Sequence, residues 1–250
     1  MESISRRSFF RLAGGALATV PALAPAQEHH QPRQPATTAK PSAAALFFRP
    51  DEMRWIEAAT ERLIPQDDNG PGAQAAGVPA YIDRQLAGAW GAGERLYRSG
   101  PWHAGQPTQG YQLPITPAEL FRNALRGVRE QVQTQHQAAF ETLTGAQQDA
   151  YLEALQHSDD DLHGVPGHMF FESLLGLSIE GFFGDPVYGG NRDMAAWKMI
   201  GFPGAYASFY DLVDRHGMAY TRAPISMGDN GAGVIHLHPV SKARGARRGE

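Results

Sequence analysis

The residues best equipped for chemistry lie in one irregular stretch, 181–204, where charged side chains stand among glycines and aromatic residues. Asp185, Arg192 and Asp193 carry the carboxylate and guanidinium groups that catalytic sites use. Beside glycine and asparagine, however, aspartate and arginine more often brace a loop or an interface. The stretch therefore has two interpretations, a catalytic loop and a binding loop, and the residue types favour the second.

Two glutamates lie on or beside the most apolar predicted helix, which leads into this stretch. A buried carboxylate at Glu172 or Glu180 could act as an acid or a base. An ion pair with Arg192 or Lys198 is the favoured interpretation, because both cations follow closely in the sequence.

Metal binding has several candidate positions in the chain. The acidic turn at 67–69 lacks the ligand spacing and the distal glutamate of a calcium-binding EF-hand loop. For the acidic turn and for each histidine group, an ordinary loop is favoured over a metal centre. The histidine groups concerned are His29–His30, His236–Leu237–His238, and the set of His157, His163 and His168.

The composition excludes several classes of protein. The 250 residues contain no cysteine, which rules out disulfides, cysteine zinc sites, iron–sulfur ligation, covalent haem c attachment and a thiol nucleophile. The net charge of −4 does not suggest nucleic-acid binding. No Gly-x-Gly-x-x-Gly follows a strand pattern, and no Gly-x-Ser-x-Gly, His-Glu-x-x-His or Walker sequence is present. The chain therefore shows no cofactor motif of its own.

The first residues have the three regions of an export signal. Arg6 and Arg7 precede Phe9 in a positive segment, a mildly apolar segment follows, and a small-x-small cleavage site ends at Ala26. The arginine pair resembles a twin-arginine signal, although the two residues after Phe9 depart conservatively from the usual Leu and Lys. An ordinary secretory signal is the alternative. We expect export to the periplasm, with residues 1–26 as the signal peptide.

Hydrophobic periodicity and capping signals predict a mainly α fold. Thr116 and Glu119 form a capping box, and Thr144 with Gln147 repeats the pattern. The 28 glycines and 18 prolines predict long irregular segments between the helices. The predicted helices are 51–64, 78–90, 116–137, 143–156, 166–179, 193–199 and 206–213.

We expect a small, irregular helical domain at 46–227 between two simpler segments. Residues 27–45 form a low-complexity linker with little to bury, and residues 228–250 form a flexible basic tail. Within the domain, 181–204 is predicted to be a loop that contains only the short helix at 193–199. Its aromatic content argues against disorder, so we expect it to be ordered and to contact something.

Several motifs resemble the small subunit (subunit 3, or gamma) of gluconate 2-dehydrogenase and related membrane-associated sugar and polyol dehydrogenases. The most specific are Gly-Asp-Pro-x-Tyr-Gly-Gly-Asn-Arg-Asp at 184–193 and Trp-Lys-x-Ile-Gly-Phe-Pro-Gly at 197–204. The twin-arginine start, Leu-Ile-Pro at 63–65 and Tyr-Ile-Asp at 81–83 also match. The resemblance covers about residues 46–210 and leaves out the linker and the tail.

The resemblance implies a non-catalytic chain that binds no cofactor itself. Its large partner would be an FAD-dependent dehydrogenase of a sugar, sugar acid or polyol, and a cytochrome subunit with haem c would pass electrons on. The chain would escort the flavoprotein through the twin-arginine export machinery to the periplasm, where the complex associates with the inner membrane. The residues expected to contact the partner are Phe182, Phe183, Asp185, Tyr188, Asn191, Arg192, Trp197 and Phe202.

Two alternatives stay open at this point. One is an independent exported enzyme whose site is the loop at 184–193. The other is a periplasmic metal-binding protein that uses the histidine-rich ends of the chain.

Overall fold

A computed structural model describes residues 45–94, 96–97, 99–103, 105–106, 113–205, 214–217 and 223–228. Helices make up the regular structure of this part of the chain, with three isolated β-bridges and no strand. The mainly α prediction is therefore confirmed. The export signal, the predicted helix at 206–213, and nearly all of the linker and tail lie outside the described residues.

Six α-helices follow one another along the described chain. Three 3₁₀ turns, Phe140–Thr142, Pro186–Tyr188 and Arg192–Met194, lie between them. The α-helices are α1 (Pro50–Leu63), α2 (Val78–Ala87), α3 (Pro117–His136), α4 (Gly145–Gln156), α5 (Gly167–Phe183) and α6 (Ala195–Ile200).

Hydrogen bonds at the N-termini of α3 and α4 confirm the two predicted capping boxes. Glu119 N donates to Thr116 Oγ1 at 3.2 Å, and Thr116 N donates to the Glu119 carboxylate at 2.7 Å. The same exchange joins Thr144 and Gln147, at 3.3 and 3.0 Å. Each box satisfies backbone N–H groups that the first turn of a helix leaves unpaired, so these two starts could be located from sequence alone.

Helix α5 supplies the centre of the core and contacts α1, α2, α3 and α4. The Phe170 ring lies 5.6 Å from Trp55 and 5.3 Å from Phe121, and all three side chains are buried. This confirms that the most apolar predicted helix forms the core. None of the described helices, α5 included, is long and apolar enough to cross a membrane.

Two predicted helix ends are wrong. Helix α2 ends at Ala87 rather than at residue 90. Helix α5 continues through Gly181 to Phe183, so Phe182 and Phe183 are helical and do not belong to the loop. A Cβ at Gly181 would lie 2.7 Å from Tyr81 Cδ1 of α2. This glycine therefore allows close helix packing and does not terminate the helix.

A carboxylate fixes the point at which the chain enters the domain. Asp83 of α2 accepts hydrogen bonds from the backbone N–H groups of Leu46, Phe47 and Phe48 at 2.6, 2.9 and 2.9 Å. The Arg122 guanidinium donates to Phe47 O at 2.9 Å and lies 4.2 Å above the Phe47 ring. These contacts hold the first described residues against α2 and α3.

Two buried tyrosines make folding sensitive to alkaline pH. Burial raises the pKa of Tyr151, and burial together with the nearby Glu180 raises the pKa of Tyr81 to about 12. In the unfolded chain both phenols ionise near pH about 10. The stability that comes from these neutral phenols is therefore fully present below pH about 10 and is lost as the pH rises through the higher folded-state pKa values.

Tyr151→Phe should flatten this alkaline loss. The variant loses the hydrogen bond from Tyr151 Oη to Gln131 Oε1, which is 2.9 Å long, at a cost of about 1 kcal/mol at neutral pH. It also removes one ionisable phenol, so its urea midpoint should fall less steeply than that of the wild type above pH about 10. The exposed Tyr188, changed to Phe, is the matched control. Equal slopes for wild type and Tyr151→Phe would contradict the prediction.

Candidate functional site

The segment after α5 is built from short helical pieces rather than from open loop. The 3₁₀ turn Pro186–Tyr188, a glycine pair at 189–190 and the 3₁₀ turn Arg192–Met194 lead into α6. We call residues 184–204 the turn segment. The predicted short helix at 193–199 is present, with its regular part at Ala195–Ile200.

Asp185 holds the start of the turn segment together. Its side chain is buried, and Oδ1 accepts hydrogen bonds from Val187 N at 2.9 Å and Ser226 Oγ at 2.5 Å. Oδ2 accepts a third from Met227 N at 2.7 Å. Ile225, next to Ser226, also pairs with the far end of the segment, because Ile225 N donates to Pro203 O at 3.1 Å. The carboxylate thus joins the turn segment to residues 223–228.

Asn191 joins the turn segment to α5 through hydrogen bonds. Its side chain is fully buried. Nδ2 donates to Gly184 O at 2.9 Å, and Oδ1 accepts from Ala196 N at 3.0 Å. Its backbone N–H donates to Gly181 O at 2.8 Å. Asn191 therefore connects the end of α5 with the start of α6 through both its side chain and its backbone.

The glycine pair is required by close approaches of other atoms. Gly189 has φ +99, and a Cβ there would lie 2.0 Å from Arg84 Nη1. A Cβ at Gly190 would lie 2.0 Å from Gly181 O. The first position needs glycine's left-handed backbone, since the flexible Arg84 side chain could move aside, whereas the second needs the missing side chain because its neighbour is backbone.

Strained backbone is concentrated just after the glycines. Five non-glycine residues of the described chain have positive φ, and three of them are Asn191 (42), Asp193 (58) and Met194 (54). Each left-handed residue costs about 1 kcal/mol, and such strain tends to cluster at functional sites. Arg192 lies among them, with its N–H bonded to Ala76 O at 2.9 Å and its side chain exposed.

The predicted partner-contact residues fall into two layers. The exposed layer contains Arg192, Tyr188 (52% exposed) and Phe202 (45% exposed), and Phe183 is half-buried. The inner layer supports it: the Trp197 ring meets Phe202 at 5.1 Å, and Trp197 Nε1 donates to Phe183 O at 2.6 Å. The buried members of the set are Phe182, Asp185, Asn191 and Trp197.

Sequence reasoning missed several exposed residues beside this set. Ile200 is 56% exposed at the end of α6, and Met199 and Met227 are also exposed. The short apolar run at 199–200 could have indicated the first two. Arg84 had no local signal, because its contact with the turn at Gly189 depends on how α2 packs.

A concave feature lies between α3, α5 and the chain after α2. It is an open cavity of about 210 Å³. Its wall is apolar apart from Ser173 and Glu180. The apolar lining includes Trp90, Leu96, Leu120, Phe121 and Leu177.

The side chains considered for metal binding take other partners. His163 Nε2 lies 2.8 Å from Glu130, and His168 Nδ1 lies 3.1 Å from Asp159. Within the described ranges, no three His, Asp or Glu side chains converge as a metal site would require. The acidic turn is closed by its own residues, since Asp67 accepts from Asn69 N at 2.8 Å. The histidines near the chain ends lie outside the described residues.

The expected ion pair of Glu172 or Glu180 with Arg192 or Lys198 is not formed among the described residues. Glu180 instead accepts a hydrogen bond from Tyr81 Oη of α2 at 3.3 Å. The reason is the longer α5: Glu180 lies on the helix, one residue before the glycine that contacts the Tyr81 ring. Its carboxylate is therefore directed by helix packing and not by the turn segment.

Comparison with known proteins gives one family. The family model described as "Gluconate 2-dehydrogenase subunit 3" matches residues 50–204, from the first residue of α1 to the end of the turn segment. No curated protein matches the chain, and no solved structure matches it. The match spans more than half of the 250 residues. The chain therefore belongs to the gluconate 2-dehydrogenase subunit 3 family.

Proposed function

We propose that this chain is the non-catalytic small subunit of a membrane-associated, FAD-dependent dehydrogenase of a sugar, sugar acid or polyol. The family match carries the proposal, because the family is named for one subunit of a dehydrogenase and its model includes the whole turn segment. In this role the chain binds the flavoprotein and supports its maturation and export.

The geometry of the turn segment supports binding more than catalysis. Asp185, the most enclosed acid of the segment, accepts three hydrogen bonds from its own chain. The exposed layer instead offers two aromatic rings, Tyr188 and Phe202, and the guanidinium of Arg192. Tyrosine and arginine are enriched among the residues that dominate the free energy of protein–protein binding. Buried neighbours and strained turns hold these groups in place before a partner arrives.

The proposed complex divides the chemistry among its subunits. FAD belongs to the large subunit, which oxidises the substrate, and haem c belongs to a cytochrome subunit that receives the electrons. This chain contributes the export signal of residues 1–26, with Arg6, Arg7 and Phe9 as the residues that the twin-arginine machinery reads. Because that machinery exports folded proteins, one signal can carry a folded partner that has none. The complex would then lie in the periplasm at the inner membrane.

Changing Arg6 and Arg7 together to Lys tests the export role. We expect both this chain and the FAD-bearing large subunit to stay in the cytoplasm, because the large subunit is proposed to depend on this signal. Flavin fluorescence and immunoblots of cytoplasmic, periplasmic and membrane fractions measure the outcome. Arg11→Lys is the matched control, since Lys is the usual residue at that position and export should continue. A large subunit that reaches the periplasm in the double variant as it does in wild type would contradict the escort role.

A further inference from the structure

Two arginines from distant parts of the sequence both lie close to the glycine turn. Arg84 of α2 lies against Gly189, with Nη1 2.0 Å from the position that a Cβ on Gly189 would take. Arg192 Nη2 and Gly189 O each lie 3.3 Å from the position of a Cβ on Gly77. Both arginine side chains are exposed. We call these two residues, with the neighbouring Tyr188, the arginine pair site.

The charges of this site are not neutralised within the described chain. Four other arginines form ion pairs with carboxylates. In the part of the chain that the structure describes, neither Arg84 nor Arg192 has a carboxylate within ion-pair distance, and Arg192 Nη1 makes only a long hydrogen bond of 3.4 Å to Ala75 O. The paired arginines are Arg54, Arg62, Arg122 and Arg129.

Two left-handed glycines leave room for the guanidiniums of the site. Gly77 and Gly189 both have left-handed backbone; a Cβ on Gly189 would overlap Arg84 Nη1 at 2.0 Å, and a Cβ on Gly77 would lie 3.3 Å from Arg192 Nη2. Arg192 is anchored by its N–H bond to Ala76 O. The planar N–H groups of a guanidinium match both oxygens of a carboxylate.

The charge balance of the chain indicates the type of partner. The net charge is −4, so a polyanion such as nucleic acid is repelled by the protein as a whole. Two exposed guanidiniums without ion pairs among the described residues, next to the half-exposed ring of Tyr188, suit a few carboxylates on a protein surface. Complementary charges of this kind determine orientation and specificity in protein complexes.

We propose that Arg84 and Arg192 bind acidic side chains on the surface of the flavoprotein subunit, with Tyr188 packing at the edge of the contact. This rests on the proposed function, because it identifies the chemistry by which that partner is recognised. Arg84 would then be a specificity residue for assembly of the complex.

The test uses the double variant Arg84→Gln/Arg192→Gln and its binding to the purified large subunit. We expect Kd to rise roughly 30-fold, as it does when residues that dominate an interface are removed. The dependence of Kd on NaCl between about 50 and 500 mM should also become shallower. Arg126→Gln, an exposed arginine of α3, removes the same kind of charge elsewhere and should leave Kd within about twofold.

The outcomes separate this inference from the proposed function. A double variant that binds as tightly as wild type, or no more weakly than Arg126→Gln, would overturn the role of the arginine pair and leave the subunit assignment intact. A wild-type chain that does not bind the large subunit at any salt concentration would overturn both. If the double Gln variant has a lower melting temperature than wild type, its weaker binding could come from loss of structure. The double variant Arg84→Lys/Arg192→Lys is then compared with wild type instead. We expect this variant to keep the salt dependence and lose affinity, because it keeps the charge and loses the planar fork.

Discussion

Gly190→Ala should lower the free energy of unfolding by about 3 kcal/mol or more, one of the two largest effects expected in this domain. The added methyl would lie 2.0 Å from Gly181 O, 2.8 Å from Gly181 C and 3.0 Å from Gly181 Cα. All three atoms belong to the backbone of α5, which cannot rotate away as a side chain does. The turn segment would have to lift from α5 and break the bond from Asn191 N to Gly181 O.

Gly176→Ala is the matched control for this substitution. Gly176 lies inside the same helix, is exposed, and would have no atom within 4 Å of an added Cβ. Alanine there should raise the free energy of unfolding by about 0.5–1 kcal/mol, because glycine weakens a helix interior. Urea unfolding at neutral pH measures both variants. If Gly190→Ala is as stable as wild type within about 1 kcal/mol, the packing described here between turn segment and α5 is wrong.

Asn191→Ala should destabilise the protein by about 4 kcal/mol. The substitution leaves Gly184 O and Ala196 N–H without the partners that the buried amide provides. It also places alanine at φ 42, a conformation that asparagine tolerates better. Asn191 has no exposed surface, so water could replace the lost bonds only if the turn segment opened.

Asn191→Gly separates the two causes. Glycine loses the same side-chain bonds but accepts the left-handed backbone, so it should be more stable than Asn191→Ala by about 1 kcal/mol. Thermal and urea unfolding of the three proteins at one pH measure the difference. Equal stabilities for wild type and Asn191→Ala would mean that the amide bonds contribute little. An Asn191→Gly protein less stable than Asn191→Ala would contradict the assigned backbone conformation.

Most of the helices can be predicted from patterns among residues that are close in the sequence. The capping boxes at Thr116 and Thr144 located two starts, because the residues that pair lie three positions apart. The mainly α fold, the core role of α5 and the family all followed from local pattern and motif. These predictions succeed because their signals lie within a few residues of one another or in one continuous stretch of sequence.

Glycine shows why the rest could not be predicted. Gly176 and Gly181 look alike in sequence, yet one borders open space and the other contacts the ring of Tyr81. Only the packing of α5 on α2 distinguishes them, so the sequence pattern predicts an end for α5 that is too early. The contact of Arg84 with Gly189 likewise joins segments far apart in the chain.

The sequence predicts a partner-binding segment but not which of its residues are buried. Aromatic and charged residues at 182–202 predict a binding segment. Whether a given residue is inside or outside depends on long-range bonds, such as those from Ser226 and Met227 to Asp185. Asp185 and Asn191 therefore act through the shape of the segment, whereas Tyr188, Arg192 and Phe202 present their side chains to solvent.

Co-purification from the native host tests the central claim most directly. The chain, tagged at its C-terminus, would be recovered from the periplasmic and membrane fractions, and the proteins that come with it identified by mass spectrometry. The account predicts a large, yellow, FAD-bearing subunit in the same eluate, with dehydrogenase activity on a sugar, sugar acid or polyol. Recovery of the chain alone, or of flavin and activity with the purified chain by itself, would contradict it.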